Sequence, residues 1–198
     1  MKKLLVASNN AHKIDEIKKI LSDIKDLQVV SLKDENIFID VEETADTLEG
    51  NALLKAKVIH SVSGLPVISD DTGLFVEELN NEPGVYSARY AGENSTYLDN
   101  CKKLISKLKE KNLSESPAHF KAVICYIDNS GKEKFFEGVI NGKVSTEMRG
   151  KNGFGYDPLF VADGMNKTFA ELTDEEKNTI SHRGVAIKKF AEFYKKNC

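Results

Sequence analysis

Two periods alternate along this chain, and that alternation limits its fold more than any other feature. Residues 2–7 are a short, largely apolar run, cut off by Ser8, Asn9 and Asn10. Helical spacing takes over at 11–22, with Ile14, Ile17 and Leu21 on one face. Asn10 suits the N-cap of that helix. A second strand is expected at 28–32, and a helix at about 50–62 through Ala52, Leu53, Ala56 and Ile59, ended by Gly64 and Pro66. Val67 and Ile68 begin a short strand that runs into Ser69-Asp70-Asp71-Thr72-Gly73. The clearest helix is 95–110, where Leu98, Cys101, Leu104, Ile105 and Leu108 follow helical spacing. Strands at 119–127 and 133–140 flank Asn129-Ser130-Gly131, a hairpin signal. Asn141-Gly142 predicts another turn, followed by strands at 143–146 and 158–161. Thr173 with Glu176 forms a capping box for a brief helix, and Ser181 is placed to cap the last one. Strands and helices mix throughout, so the expected class is α/β with a mixed sheet flanked by helices.

Composition narrows the function. The chain has 198 residues, enough to bury roughly 70% of its unfolded surface as a single domain. Net charge is -3, which argues against a nucleic-acid binder, since such proteins usually carry a basic balance. The three cysteines, Cys101, Cys125 and Cys198, include no CxxC pair, so neither a zinc site nor a disulfide framework is expected. Cys198 reads as a terminal, exposed thiol. The apolar run near the N-terminus is too short for a signal peptide, and nothing approaches the roughly 20 apolar residues of a membrane span. The expectation is a cytoplasmic protein that binds neither nucleic acid nor membrane.

Four groups of residues could carry chemistry. Ser8, Asn10 and Lys13 surround the start of the first helix, whose free N–H groups and dipole suit phosphate. The plainer reading is a well-capped surface helix. Asp40, Glu42, Glu43, Asp46 and Glu49 crowd one loop, and Asp70-Asp71 stand at a strand end. Carboxylates from two such segments can share a Mg²⁺ ion, which takes oxygen ligands and keeps waters and substrate phosphates around it. Alternatively, Asp-Asp-Thr-Gly is a turn and the acidic loop is merely solvated. In Gly153-Phe154-Gly155-Tyr156-Asp157-Pro158 the glycines permit close backbone approach and Phe154 could stack on a base, or the segment is a turn with core aromatics. Lys177 and Ser181-His182-Arg183-Gly184 could meet a planar acceptor or simply lie on the surface. Gly138 to Val144 is no P-loop, because its spacing is one residue short and Val144 replaces Ser or Thr.

In order and spacing, these pieces resemble the inosine triphosphatase family, also called Ham1. The resemblance runs nearly end to end. It rests on Ser8-Asn9-Asn10-Ala11-His12-Lys13, Glu42-Glu43-Thr44, Asn51-Ala52-Leu53-Leu54-Lys55-Ala56 and Ser69-Asp70-Asp71-Thr72-Gly73-Leu74. It continues through Pro83 to Gly92, Gly153 to Pro158, Ala170-Glu171-Leu172, Lys177 and Ser181 to Gly184. Two departures are small: Gly50 stands where many members have Glu, with Glu49 one place earlier, and Thr72 replaces the commoner Ser.

The resemblance implies one two-lobed domain over residues 1–198, a long mixed sheet, a central nucleotide cleft and a homodimer. It implies Mg²⁺-dependent hydrolysis of non-standard purine nucleoside triphosphates (ITP, dITP, XTP) to the monophosphate and pyrophosphate. Glu43 and Asp71 would hold Mg²⁺, and Asp71 would be the general base, with Asp70 the second choice. Ser8, Asn9, Asn10, Ala11, His12, Lys13, Lys55 and Thr72 would hold the phosphates. Phe154, Gly155, Tyr156, Asp157, Lys177, His182 and Arg183 would surround the base. Donors aimed at a purine O6 would be left unpaired by adenine; guanine also carries O6, so its exclusion must depend on the 2-position. Two other readings stay open here. One is a Maf-like or Nudix-type pyrophosphatase, though no Nudix box is present. The other is a nucleotide-binding module without turnover.

Overall fold

The computed structural model describes residues 1–197, and the expectation for Cys198 lies outside them. Among the described residues seven strands and five α-helices follow one another as β1 (Lys2–Val6), α1 (Ala11–Leu21), β2 (Leu27–Ser31), α2 (Leu48–Ser63), β3 (Val67–Val76), β4 (Glu82–Gly84), α3 (Tyr97–Glu110), β5 (Glu115–Ile127), β6 (Glu133–Ser145), β7 (Phe160–Ala162), α4 (Asp174–Ile180) and α5 (His182–Asn197). The strands form one sheet in the order β2-β1-β3-β5-β6-β7, with β4 paired to β3. β1 runs parallel to β2 and β3, whereas β3–β4 and β6–β7 are antiparallel, so the sheet is mixed, as the alternating periods predict.

The helix ends follow their local chemistry. Thr47 accepts a hydrogen bond from the Gly50 N–H at the start of α2, and Gly64 closes that helix at φ 65°. Thr96 with Asp99 and Thr173 with Glu176 complete capping boxes on α3 and α4.

Two sequence expectations change. β3 continues to Val76 through Asp70-Asp71-Thr72-Gly73, so this segment is strand and the turn alternative falls. Asn141-Gly142 does not turn, because β6 runs unbroken to Ser145. Gly142 pairs with Ala162, and a Cβ on it would lie 2.2 Å from the Val161 carbonyl oxygen. Its glycine answers the close approach of β7, a need that reads in sequence like a turn signal.

The chain divides into two compact units. Unit 1 comprises Met1–Asp71, Ala122–Gly138 and Arg183–Cys198, and unit 2 comprises Thr72–Lys121 and Val139–His182. Each has its own apolar core. In unit 1, Leu4, Val6, Ile17 and Ile68 pack with Phe136, Ile187 and Phe190. In unit 2, Leu74, Leu104, Leu108 and Val144 pack with Phe120, Phe160 and Phe169. Among the described residues, no helix is long and apolar enough to cross a membrane.

Candidate active site

Apart from Thr72, which opens unit 2, the expected phosphate and metal residues lie in unit 1, many of them near the ends of β1 and of its part of β3. Asn10 caps α1, its Oδ1 accepting from the Lys13 N–H at 3.4 Å, while the Asn10 N–H donates to Ser8 Oγ at 3.1 Å. Ser8 and Asn10 thus build the turn that presents the helix N-terminus. Ala11 and His12 are exposed in its first turn. Asn9 turns to the neighbouring loop, donating to the Ile39 carbonyl and to Asp40 Oδ1.

α2 supplies Lys55, which gathers the acidic groups. Its Nζ donates to Glu43 Oε1 at 2.5 Å, to the Asp70 carbonyl at 2.8 Å and to Asp71 Oδ1 at 3.2 Å. Glu43 comes from the acidic loop and Asp71 from β3, so one ammonium joins the two segments expected to share an ion. Glu42, next to Glu43, is exposed. Burial alone would pull the Lys55 ammonium down, but Asp71 and then Glu43 hold it above its ordinary range.

The two adjacent aspartates differ. Burial pushes the Asp71 carboxyl up to about 6, against the pull of Lys55 and Lys13. It is therefore ionised at neutral pH and within reach of protonation. Asp71 Oδ2 is buried and meets no hydrogen-bond donor. Burial would raise Asp70 too, but Arg183, then Lys13 and Lys55, hold it well below the usual carboxylate range. Lys13 Nζ and Arg183 Nε both lie 3.0 Å from Asp70 Oδ2. Asp70 is thus committed to cations, and Asp71 is the better placed base.

A buried carboxylate oxygen lacking a donor, beside a second carboxylate tied to the same lysine, fits a hard divalent cation. Mg²⁺ needs only one or two protein carboxylates when substrate phosphates complete its shell. Among the described residues no group of three or more His, Cys, Asp or Glu is placed to hold a metal ion by itself.

Unit 2 carries the residues expected around a base. In the 153–157 segment, Gly153 and Gly155 take positive φ, and a Cβ on Gly153 would lie 2.1 Å from Asp157 Oδ2. That oxygen accepts from the Phe154 N–H at 2.9 Å and from Lys177 Nζ at 2.7 Å. Both ion-pair side chains are 4% exposed, and Lys177 Nζ stands 4.6 Å from the centre of the half-buried Phe154 ring. Tyr156 is buried, donating through its hydroxyl to the Ser87 carbonyl, so it is a support residue. Gly155 receives the Cys101 thiol on its carbonyl. His182 is buried and stacked on Phe120 at 4.6 Å between ring centres. Thr72, half-buried, follows Asp71 in β3.

Two features escaped the sequence. Arg183 belongs to unit 1 and is tied to Asp70 and Glu16. Glu16 could have been found, since it lies three residues after Lys13 on α1 and so shares its face. Asn51 is fully buried in α2 and accepts from the Ala45 N–H at 2.9 Å, pinning the acidic loop two residues after Glu43.

Comparison with known proteins gives this arrangement a family. The Ham1 family profile matches residues 4–193. The chain belongs to the Ham1 family. It is 48% identical over 192 residues to a Thermoanaerobacter protein named dITP/XTP pyrophosphatase, covering 96% of each. A Porphyromonas gingivalis protein of the same name is 47% identical over 193 residues, covering 98% of this chain and 97% of its own. Among solved structures, the Staphylococcus aureus Ham1 protein matches with a TM-score of 0.86 at 40% identity, over the whole of both chains. A Ham1 protein from Coxiella burnetii matches at 0.89 and 36% identity, covering 99% of this chain and all of its own. Membership confirms the resemblance read from the motifs, and the mixed sheet is that of Ham1 proteins.

Proposed function

We propose that this Ham1-family protein is a nucleoside-triphosphate pyrophosphatase that cleaves ITP, dITP and XTP to the monophosphate and pyrophosphate, clearing them from the nucleotide pool of the cytoplasm as a homodimer. Its relatives' shared name, dITP/XTP pyrophosphatase, supports the substrate class. The observation that carries the chemistry is Lys55 joining Glu43 to Asp71 while Asp71 Oδ2 stays buried without a donor. This arrangement favours an enzyme over a nucleotide-binding module.

A triphosphate brings about four negative charges, so positioning and charge stabilisation supply most of the catalysis. Lys13, Lys55 and the N–H groups at the start of α1 hold the phosphates, with Ser8, Asn9, Asn10 and Thr72 lining their path. Glu43 and Asp71 would hold Mg²⁺, which supplies further neutralisation of the phosphate oxygens. The Asp71 carboxylate takes a proton from the water that attacks the α-phosphorus, and pyrophosphate leaves. Phe154 stacks on the purine, while Lys177 and His182, braced by Asp157 and Phe120, read its 6-carbonyl.

The test is release of pyrophosphate, as opposed to orthophosphate, from ITP, XTP, GTP and ATP with Mg²⁺. Fast release from ITP and XTP with little from GTP and ATP supports the proposal. Equal activity on all four overturns the selectivity, and orthophosphate as the product overturns α-phosphorus attack.

A further inference from the structure

We infer that Asn51 and Gly50, in the first turn of α2, are positioning residues of the metal site: they seat the acidic loop so that Glu43 is held beside Asp71. The inference rests on the function proposed above, because it assigns roles toward the same Mg²⁺ site.

Three hydrogen bonds fasten the loop to α2, all within unit 1. Asn51 Oδ1 accepts from the Ala45 N–H at 2.9 Å. The Asn51 N–H donates to the Thr47 carbonyl at 3.1 Å, and the Gly50 N–H donates to Thr47 Oγ1 at 3.0 Å. At Gly50 the loop comes very near: a Cβ there would lie 2.6 Å from the Ala45 Cβ and 3.0 Å from Thr47 Oγ1. Lys55 follows Asn51 by one turn on the same face of α2, and its Nζ holds Glu43 Oε1 and Asp71 Oδ1. One helix face therefore grips the loop twice, at Glu43 itself and two residues beyond it.

Helix propensity explains neither residue. Gly is the poorest helix former after Pro, and Asn ranks low. Asn51 is fully buried, and its Nδ2 meets no acceptor, a loss that an apolar residue of similar volume would avoid. What the two residues contribute is placement. The bond to Ala45 fixes the backbone just past Glu43, and the missing methyl at Gly50 lets Ala45 close on the helix. A metal ligand is effective only when the groups behind it hold its orientation, and removing such a support typically weakens metal binding by roughly 10–100-fold.

The experiment titrates Mn²⁺ alone, as a probe of the Mg²⁺ site, into the full chain and reads the free ion by electron paramagnetic resonance, so that turnover is irrelevant. Asn51→Leu, Gly50→Ala and the pair Gly50→Ala with Ala45→Gly are compared with wild type, at a temperature where circular dichroism shows each folded. Asp71→Asn marks the signal that belongs to this site. Each single variant is expected to bind Mn²⁺ at least about tenfold more weakly. Ala45→Gly should restore most of the loss caused by Gly50→Ala, because it removes the opposing methyl, and such rescue is the mark of coupling. Affinity for inorganic tripolyphosphate, measured by calorimetry without metal, should not weaken in any of the three. If Asn51→Leu does not fold, the Gly50 variants carry the test. Unchanged Mn²⁺ affinity in either folded single variant overturns the inference. Equal weakening of Mn²⁺ and tripolyphosphate makes the contacts merely structural and overturns it, as does a failure of Ala45→Gly to rescue. No Mn²⁺ binding by wild type, or binding that Asp71→Asn leaves unchanged, overturns it as well. Wild type that binds Mn²⁺ at this site but releases no pyrophosphate from ITP would defeat the proposed function and leave the positioning result readable.

Discussion

Burying a carboxylate is unfavourable unless cations meet it, and the neighbours Asp70 and Asp71 meet that condition to different degrees. Asp70 faces Arg183 and Lys13, whereas Asp71 shares Lys55 with Glu43 and keeps one oxygen bare. The motif announces both aspartates, but their division of labour depends on residues from α1, α2 and α5. No local pattern shows which cation reaches which oxygen, so the ties of Arg183 to Asp70 and Glu16 are not legible in the sequence. At the surface, Asp34 shows the same rule in reach of a simple measurement. The Ser31 N–H donates to its Oδ2 at 2.8 Å, and with the Ser31 hydroxyl and Lys18 this lowers its pKa from 3.8 to about 2. A depressed carboxylate contributes stability that is present above its unfolded pKa and lost as pH falls toward the folded value. Asp34→Asn should therefore lower the melting temperature at pH 6, and the gap from wild type should close between pH 4 and pH 2. A gap that stays constant over that range would contradict the role of the ionised form.

At the scale of elements, the helices were legible because spacing and caps are local. Thr173 and Asn10 mark starts where the structure has them, and Gly64 marks an end. Strands were harder. β3 carries two aspartates and a glycine through the sheet, which resembles a turn until the distant cations are known. β4, only Glu82–Gly84, offers three residues with a proline and no period to detect. Gly142 misled for a physical reason: the fold needs a missing Cβ there, where β7 comes close, and not a bend. Gly142→Ala would place a Cβ against the backbone of Val161 and Ala162. Overpacking of this kind costs about 1–3 kcal/mol. Urea unfolding should show a loss in that range; a neutral substitution would mean that β7 can retreat.

Across the whole molecule, each unit holds its own aromatic core, and the expected site residues divide by unit. Lys13, Glu43, Lys55 and Asp71 lie in unit 1, and Phe154, Asp157, Lys177 and His182 lie in unit 2. The family motifs made these residues identifiable, but their supports Glu16 and Phe120 carry no motif, and Asn51 stands in one that does not reveal its hold on the acidic loop. Burial of the two cores has a chemical readout. Cys101 in unit 2 and Cys125 in unit 1 have thiols pushed up to about 12 by burial. Because the thiolate is the reactive form, neither should react with a disulfide reagent at pH 8 in the native protein, and both should react in guanidinium. Rapid native reaction at either, located by mass spectrometry, would show that core open.

Turnover depends most directly on Asp71. The measurement is pyrophosphate release from ITP with Mg²⁺ by wild type and by Asp71→Asn, which keeps the side chain's shape and removes its charge. A fall in kcat of at least about 100-fold, within the 10²–10⁴ range that general-base catalysis supplies, is the predicted result. A variant that releases pyrophosphate at the wild-type rate would show that the water gives its proton elsewhere, and would contradict the assignment of Asp71 as the base.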